Sequence, residues 1–297
     1  MFATLLGGLP RPPLAADAPP SAAIEAVVRA QEAAGLEPIT DGGLGVVGRL
    51  EEPWRTAAAL TGRAVKGVVG GPFTEAWAAG GVTAARTAAT LDRAEALNEE
   101  LRGLAAAGCA FIEVHEPAAT AIGANEPERA LFRDAHRRLL DGLAGTHCSL
   151  ALTGGDADAA GIDTFIAAPY ASLAVDLIAG PENWRLVVAT PGDLGIVCGA
   201  LSAAAGSDDG PEILLWAAAY AASTGDRGPS RVGLATASSL AALSWAEATA
   251  KMAALGAAAR LADLPDAERL SKLDPRAIDI RSAAFGRYAP GPPRRRR

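Results

Sequence analysis

The sequence predicts an α/β protein folded as a single (β/α)8 TIM barrel over residues 1–262. Three observations lead there. Short apolar runs alternate with alanine-rich, helix-like stretches along most of the chain, as parallel strands joined by helical crossovers do. Eight such runs occur, the number a closed barrel needs. Several of them leave into glycine or proline, as at Gly7-Gly8-Leu9-Pro10, Asp41-Gly42-Gly43, Gly70-Gly71-Pro72 and Gly154-Gly155-Asp156. Loops of that kind carry the site at the carboxyl ends of barrel strands. An open doubly wound sheet is the rival arrangement.

In chain order, the first strand is expected at 2–6, running into Gly7-Gly8, and the first helix in the alanine-rich stretch 21–34. A short strand at 37–40 ends at Asp41-Gly42, and 64–69 ends at Gly70-Gly71. A helix at 88–107 leads to a strand at 110–115, then a helix at 126–143 to a strand at 146–152. Further strands are expected at 173–177, 186–189 and 231–236, with helices at 211–222 and 245–262. Weaker helical connections fall near 51–60, 156–165 and 195–204. From residue 263 the pattern decays, so 263–297 reads as a tail with a disordered end, its closing run Arg294 to Arg297 solvated.

The stretch from Cys109 to Ala118 is the most informative. Alternation along a strand puts Phe111, Glu113 and His115 on one side and Ile112, Val114 and Glu116 on the other. Pro117 cannot continue the ladder, so Glu116 stands at the carboxyl end.

Composition narrows the function classes. Hydrophobic residues make up 50% of 297, yet no uninterrupted apolar run approaches the roughly 20 residues of a membrane span. The opening nine residues are too short for a signal core and lack a basic leader. A soluble, cytoplasmic protein that engages no membrane is the expectation. The net charge of −7 argues against a nucleic-acid surface. Cys109, Cys148 and Cys198 are widely spaced and form no CxxC pair, which favours reduced thiols. Gly42-Gly43-Leu44-Gly45 fits neither a phosphate loop nor a dinucleotide fingerprint, and the acidic loop 206–210 lacks the carboxylate spacing of a metal loop.

Several segments together resemble the C-terminal catalytic barrel of cobalamin-independent methionine synthase, in the superfamily that includes uroporphyrinogen decarboxylase. Leu6-Gly7-Gly8-Leu9-Pro10-Arg11 is similar to that family's first-strand motif, Thr40-Asp41-Gly42 to its second, and Gly71-Pro72-Phe73-Thr74 to its third. The segment from Ala107 to Ala118 resembles its Glu-Pro-Ala strand. The resemblance implies transfer of a one-carbon (methyl) or related small group to a small acceptor, without cobalamin. It also implies that Glu116 binds the substrate's amino group, and that His115 stands where the family has an aspartate, as a candidate proton carrier. Asp41 and Arg11, at strand exits, are further candidates for substrate binding, Arg11 through its forked donors.

That family holds a thiol substrate on zinc through a His-x-Cys pair, a glutamate and a late cysteine. The matching positions here are His147 with Cys148, then Asp176 and Ser238. His147 and Cys148 are adjacent, so on a strand they face opposite sides, and serine is a poor zinc ligand. A degenerate zinc site is therefore expected, with His147 also a candidate catalytic residue. Arg11, Asp41, Glu116 and residues 146–149 are expected to converge at one end of the barrel. The alternatives are a metal-free lyase resembling uroporphyrinogen decarboxylase and a non-catalytic ligand-binding barrel.

Overall fold

The computed structural model describes residues 1–15, 17–44, 50–77, 81–207 and 210–273. Seven parallel strands form one curled sheet: β1 (Phe2–Thr4), β2 (Gly67–Gly70), β3 (Phe111–His115), β4 (His147–Leu152), β5 (Ser172–Asp176), β6 (Gly195–Leu201) and β7 (Val232–Thr236). They pair in the order β1-β7-β6-β5-β4-β3-β2. Residues 37–39 lie between the two outer strands. The Glu37 amide donates to the Ala3 carbonyl at 2.8 Å, Ile39 donates to Ala64 at 2.9 Å, and Lys66 donates back to Ile39 at 2.9 Å. The strand expected at 37–40 is thus two isolated bridges.

Alternation sorts the side chains into two layers. Inward-facing Leu6, Ala151, Ala174, Val197 and Ala235 form a small cluster of their own, with Phe2 against it. Outward-facing Ile112, Val114, Leu150, Val175 and Leu234 join the main core beneath the helices. Small residues line the inside because a tightly curled sheet leaves little room there. Each large outer aliphatic contributes roughly 1.5–3 kcal/mol by leaving water.

The helices are α1 (Pro20–Ala34), α2 (Glu51–Ala59), α3 (Pro72–Glu75), α4 (Ala84–Ala106), α5 (Glu126–Leu139), α6 (Ile162–Phe165), α7 (Trp184–Ala189), α8 (Pro211–Ala222), α9 (Trp245–Ala262) and α10 (Asp266–Ser271). The start of α9 is fixed by a capping box: Ser244 accepts from the Glu247 amide, and the Glu247 carboxylate accepts from the Ser244 amide. Among the described residues, no helix is long and apolar enough to cross a membrane.

Two expectations are corrected. Residues 186–189 are not a strand but the end of α7, and the expected helical connection at 195–204 holds β6 instead. Short apolar runs do not declare their period; here Gly195 to Leu201 pairs on both sides, with β5 and β7, and is buried along almost its whole length. The decaying pattern after residue 263 contains the six-residue helix α10. The arginine run 294–297 lies outside the described residues, as do Gly45 and the aspartates of the 206–210 loop.

Candidate active site

The inward face of β3 carries a buried polar chain. Lys66, one residue before β2, is fully enclosed; its Nζ donates to the Leu5 carbonyl at 2.6 Å and to Glu113 Oε2 at 2.7 Å. The other Glu113 oxygen lies 2.7 Å from His115 Nε2. Both Lys66 and Glu113 side chains have no solvent exposure, while the His115 side chain keeps 15%. Burial pushes the Glu113 carboxyl up, but Lys66 and His115 outweigh it and hold the group below the ordinary carboxylate range. An ionised Glu113 accepts a hydrogen bond from Nε2–H, which leaves His115 Nδ1 as the acceptor nitrogen. His115 is the last residue of β3, level with Ala151 of the inner cluster. It therefore stands at the carboxyl end of the strands, where barrels do chemistry.

Glu116, expected to bind the substrate's amino group, lies among donors of the protein itself. Its carboxylate accepts from the Phe73 amide at 3.0 Å and the Thr74 amide at 2.7 Å, at the N-terminus of α3. Its Oε1 also lies 3.0 Å from His136 Nε2, and His136 Nδ1 meets the Tyr170 hydroxyl at 2.5 Å. Glu116 is wholly buried, so its oxygens are committed to protein groups. The outward parity of its position, shared with Ile112 and Val114, sends it toward α3 and α5. Gly71 is required here: a Cβ on it would lie 2.1 Å from Glu116 Oε1.

Asp41 sits half-buried just beyond residues 37–39, with Oδ1 accepting from the Gly43 amide at 3.0 Å. Burial raises its carboxyl above the usual range, against the pull of that N–H. The turn is held to the β1 exit by the Leu9 amide donating to the Gly42 carbonyl at 2.9 Å. Gly42 has φ of +78°, and a Cβ there would lie 2.8 Å from Val27. Arg11 is exposed and makes no ion pair among the described residues. Trp54 is core, its Nε1 donating to the Val65 carbonyl at 3.0 Å, and Trp77 lies beneath the Arg86 guanidinium at 4.4 Å.

The positions matched to zinc ligands do not come together. His147 opens β4 and lies at the amino end of the strands, whereas Asp176 closes β5 at the opposite end. Of the residues expected to converge (Arg11, Asp41, Glu116 and 146–149), Glu116 follows the carboxyl end of β3 whereas His147 opens β4 at the other end of the strands. The strand reaches the carboxyl end only at Ala151 and Leu152, of which Ala151 faces inward. Cys148 faces outward; burial pushes its thiol up to about 11, as it pushes buried Cys198 up to about 12. The Asp176 carboxylate is spent on the amides of Gly154, Ile178 and Ala179, at 3.0, 2.9 and 2.8 Å. Ser238 offers a hydroxyl where a thiolate would be needed. Among the described residues no group of three or more His, Cys, Asp or Glu is arranged to hold a metal. The donors do not fit the family's zinc centre.

Sequence reasoning missed Lys66, Glu113 and His136. A lysine inside the apolar run 64–69, and a glutamate sharing the His115 face, were the available signals. The sequence does not say that the two meet across strands.

Comparison with known proteins agrees with the fold. Residues 37–133 match the family described as cobalamin-independent synthase, catalytic domain. No curated protein matches the chain. A B12-independent methionine synthase from Shewanella sp. W3-18-1, solved in complex with selenomethionine, superposes with a TM-score of 0.71 at 17% identity, covering 91% of this chain and 99% of that one. The apo homocysteine methyltransferase MmuM from Escherichia coli aligns with a TM-score of 0.44 at 14% identity, over 86% of this chain and 95% of that one. The chain thus carries, over residues 37–133, the catalytic-domain signature of the cobalamin-independent synthases, on a fold similar to that of a methionine synthase.

Proposed function

We propose that this protein transfers a methyl or related one-carbon group to a small thiol acceptor, without cobalamin and without a zinc-bound thiolate, at the carboxyl ends of its strands. The family match supports the reaction class. The observation that carries the mechanism is the Lys66–Glu113–His115 chain. A free thiol is only a few per cent ionised near neutrality, and the thiolate is the nucleophile. His115 Nδ1 takes the thiol proton, and Glu113, held ionised by Lys66, steadies the imidazolium that results. The sulfur then forms its bond to the methyl carbon as the donor's bond to that carbon breaks, and the donor leaves with the electron pair.

Asp41 and Arg11 are proposed to bind the acceptor, Asp41 its amino group and Arg11 its carboxylate. Asp41 gains most from such a partner, because a cation beside it offsets the burial that raises its carboxyl. We further propose that residues 37–40 serve as the eighth strand and close the sheet into a (β/α)8 barrel over residues 1–262, which brings Asp41 to the same rim as His115. The parallel bridge from Ile39 to Val65 supports this. Three buried free thiols suit a reducing, cytoplasmic setting. The test is mass spectrometry of a panel of small thiols, homocysteine included, incubated with methyl donors and the purified protein. Enzyme-dependent S-methylation is expected; methylation of none of them would refute the reading.

A further inference from the structure

At the amino ends of the strands, opposite His115, the structure holds a cavity of about 480 Å³, within the size range of small-molecule sites. Phe2, Phe111 and His147, each the first residue of its strand, form its walls. The Phe111 and His147 rings stack at 4.5 Å and 12°, a flat aromatic face fixed by the His147 Nε2 contact to Ser172 Oγ at 2.9 Å. The Phe2 ring is seated over Gly233, where a Cβ would lie 2.3 Å from it. Three charged side chains complete the lining: Glu37, Asp193 and Arg231, all exposed.

The charges are unequal. Glu37 and Asp193 face one guanidinium, and the Arg231 Nη1 already donates to the Gly192 carbonyl at 3.2 Å. Asp193 makes no hydrogen bond or ion pair among the described residues. Glu37 uses one oxygen on the Ala64 amide at 3.0 Å. Burial lowers the His147 imidazole from its ordinary range, so the ring is neutral near pH 7 and does not repel a cation. Aromatic faces attract cations through their ring quadrupole, and the rim carboxylates add to that attraction. An anion would have only Arg231.

We infer that this cavity is a binding site for a small organic cation, its apolar or aromatic body against Phe2, Phe111 and His147 and its ammonium group toward Asp193 and Glu37. The site is at the other end of the strands from His115 and does not depend on the proposed reaction.

Proton NMR of the 297-residue chain tests it. The chain has only three histidines, and the signal lost in His147→Gln assigns His147. Benzylammonium, benzyl alcohol and benzoate have similar ring sizes and differ in charge. Benzylammonium is expected to shift the His147 signal saturably and to bind about fivefold tighter than benzyl alcohol, the worth of one exposed ion pair. Asp193→Asn with Glu37→Gln should erase that preference while leaving the fold intact, since both residues are exposed and Gln keeps an acceptor for Ala64. Equal binding of all three probes, a preference for benzoate, or a His147 signal unmoved by benzylammonium would overturn the proposal.

Discussion

At the scale of single residues, the chemistry follows from which way each side chain faces. Cys148 and Cys198 are turned out of the sheet and buried under helices, and their thiols are raised to about 11 and about 12. Cys109 is likewise raised by burial. The native protein should therefore resist alkylation: iodoacetamide at about pH 8 is expected to label none of the three until denaturant is added, as read by intact mass. Rapid labelling of one native cysteine would show a thiol more open than the structure has it. His147 makes a pH prediction. Its folded-state value is lowered by burial from 6.5, so below that pH the unfolded chain binds the proton more readily than the folded one. The stability contributed by keeping this ring neutral is complete above about pH 6.5 and is lost as pH falls. Denaturant unfolding at about pH 7.5 and about pH 5.5 should show a smaller acid loss in His147→Phe than in the unaltered protein; an equal loss would contradict the assignment.

At the scale of elements, Glu116 is a strap. One buried carboxylate caps α3 and binds His136 of α5, so it joins β3 to the two helices that cover it. Glu116→Ala strands two amides and an imidazole and is expected to cost about 3 kcal/mol. Gly71→Ala should do comparable damage through the same group, because its Cβ displaces the carboxylate. If Gly71→Ala costs no stability in a denaturant titration, the strap is not what holds α3. The Glu-Pro segment was legible in the sequence as a strand end, and Pro117 placed Glu116 correctly. Its role was not, since the partners at Phe73, Thr74 and His136 are 43, 42 and 20 residues away. The same limit explains β6: a run such as Gly195 to Leu201 becomes a strand by pairing with β5 and β7, and nothing within its seven residues announces those neighbours. Helices α8 and α9, by contrast, are bounded by local signals, Pro211 at the start of one and the Ser244–Glu247 capping box at the start of the other, and both were placed to the residue.

At the scale of the molecule, the parallel sheet separates two ends, and that separation decides the chemistry. The sequence motif at 146–148 resembled half of a zinc site, yet register puts His147 level with Phe111 at the amino end, four residue pairs below the His115–Ala151 level. The expected strand at 146–152 already set His147 near its amino end, and pairing with β3 and β5 fixes that height. What occupies the carboxyl end instead is His115 on its buried Glu113–Lys66 support. In the proposed reaction this histidine, and no zinc-bound thiolate, activates the acceptor. The most direct measurement is the rate of thiol methylation by the unaltered protein and His115→Asn, each with and without a strong zinc chelator, with folding checked by circular dichroism. The rate is expected to be unchanged by the chelator and to fall about a hundredfold or more in His115→Asn. A rate abolished by the chelator and restored by zinc, with His115→Asn near full activity, would contradict this.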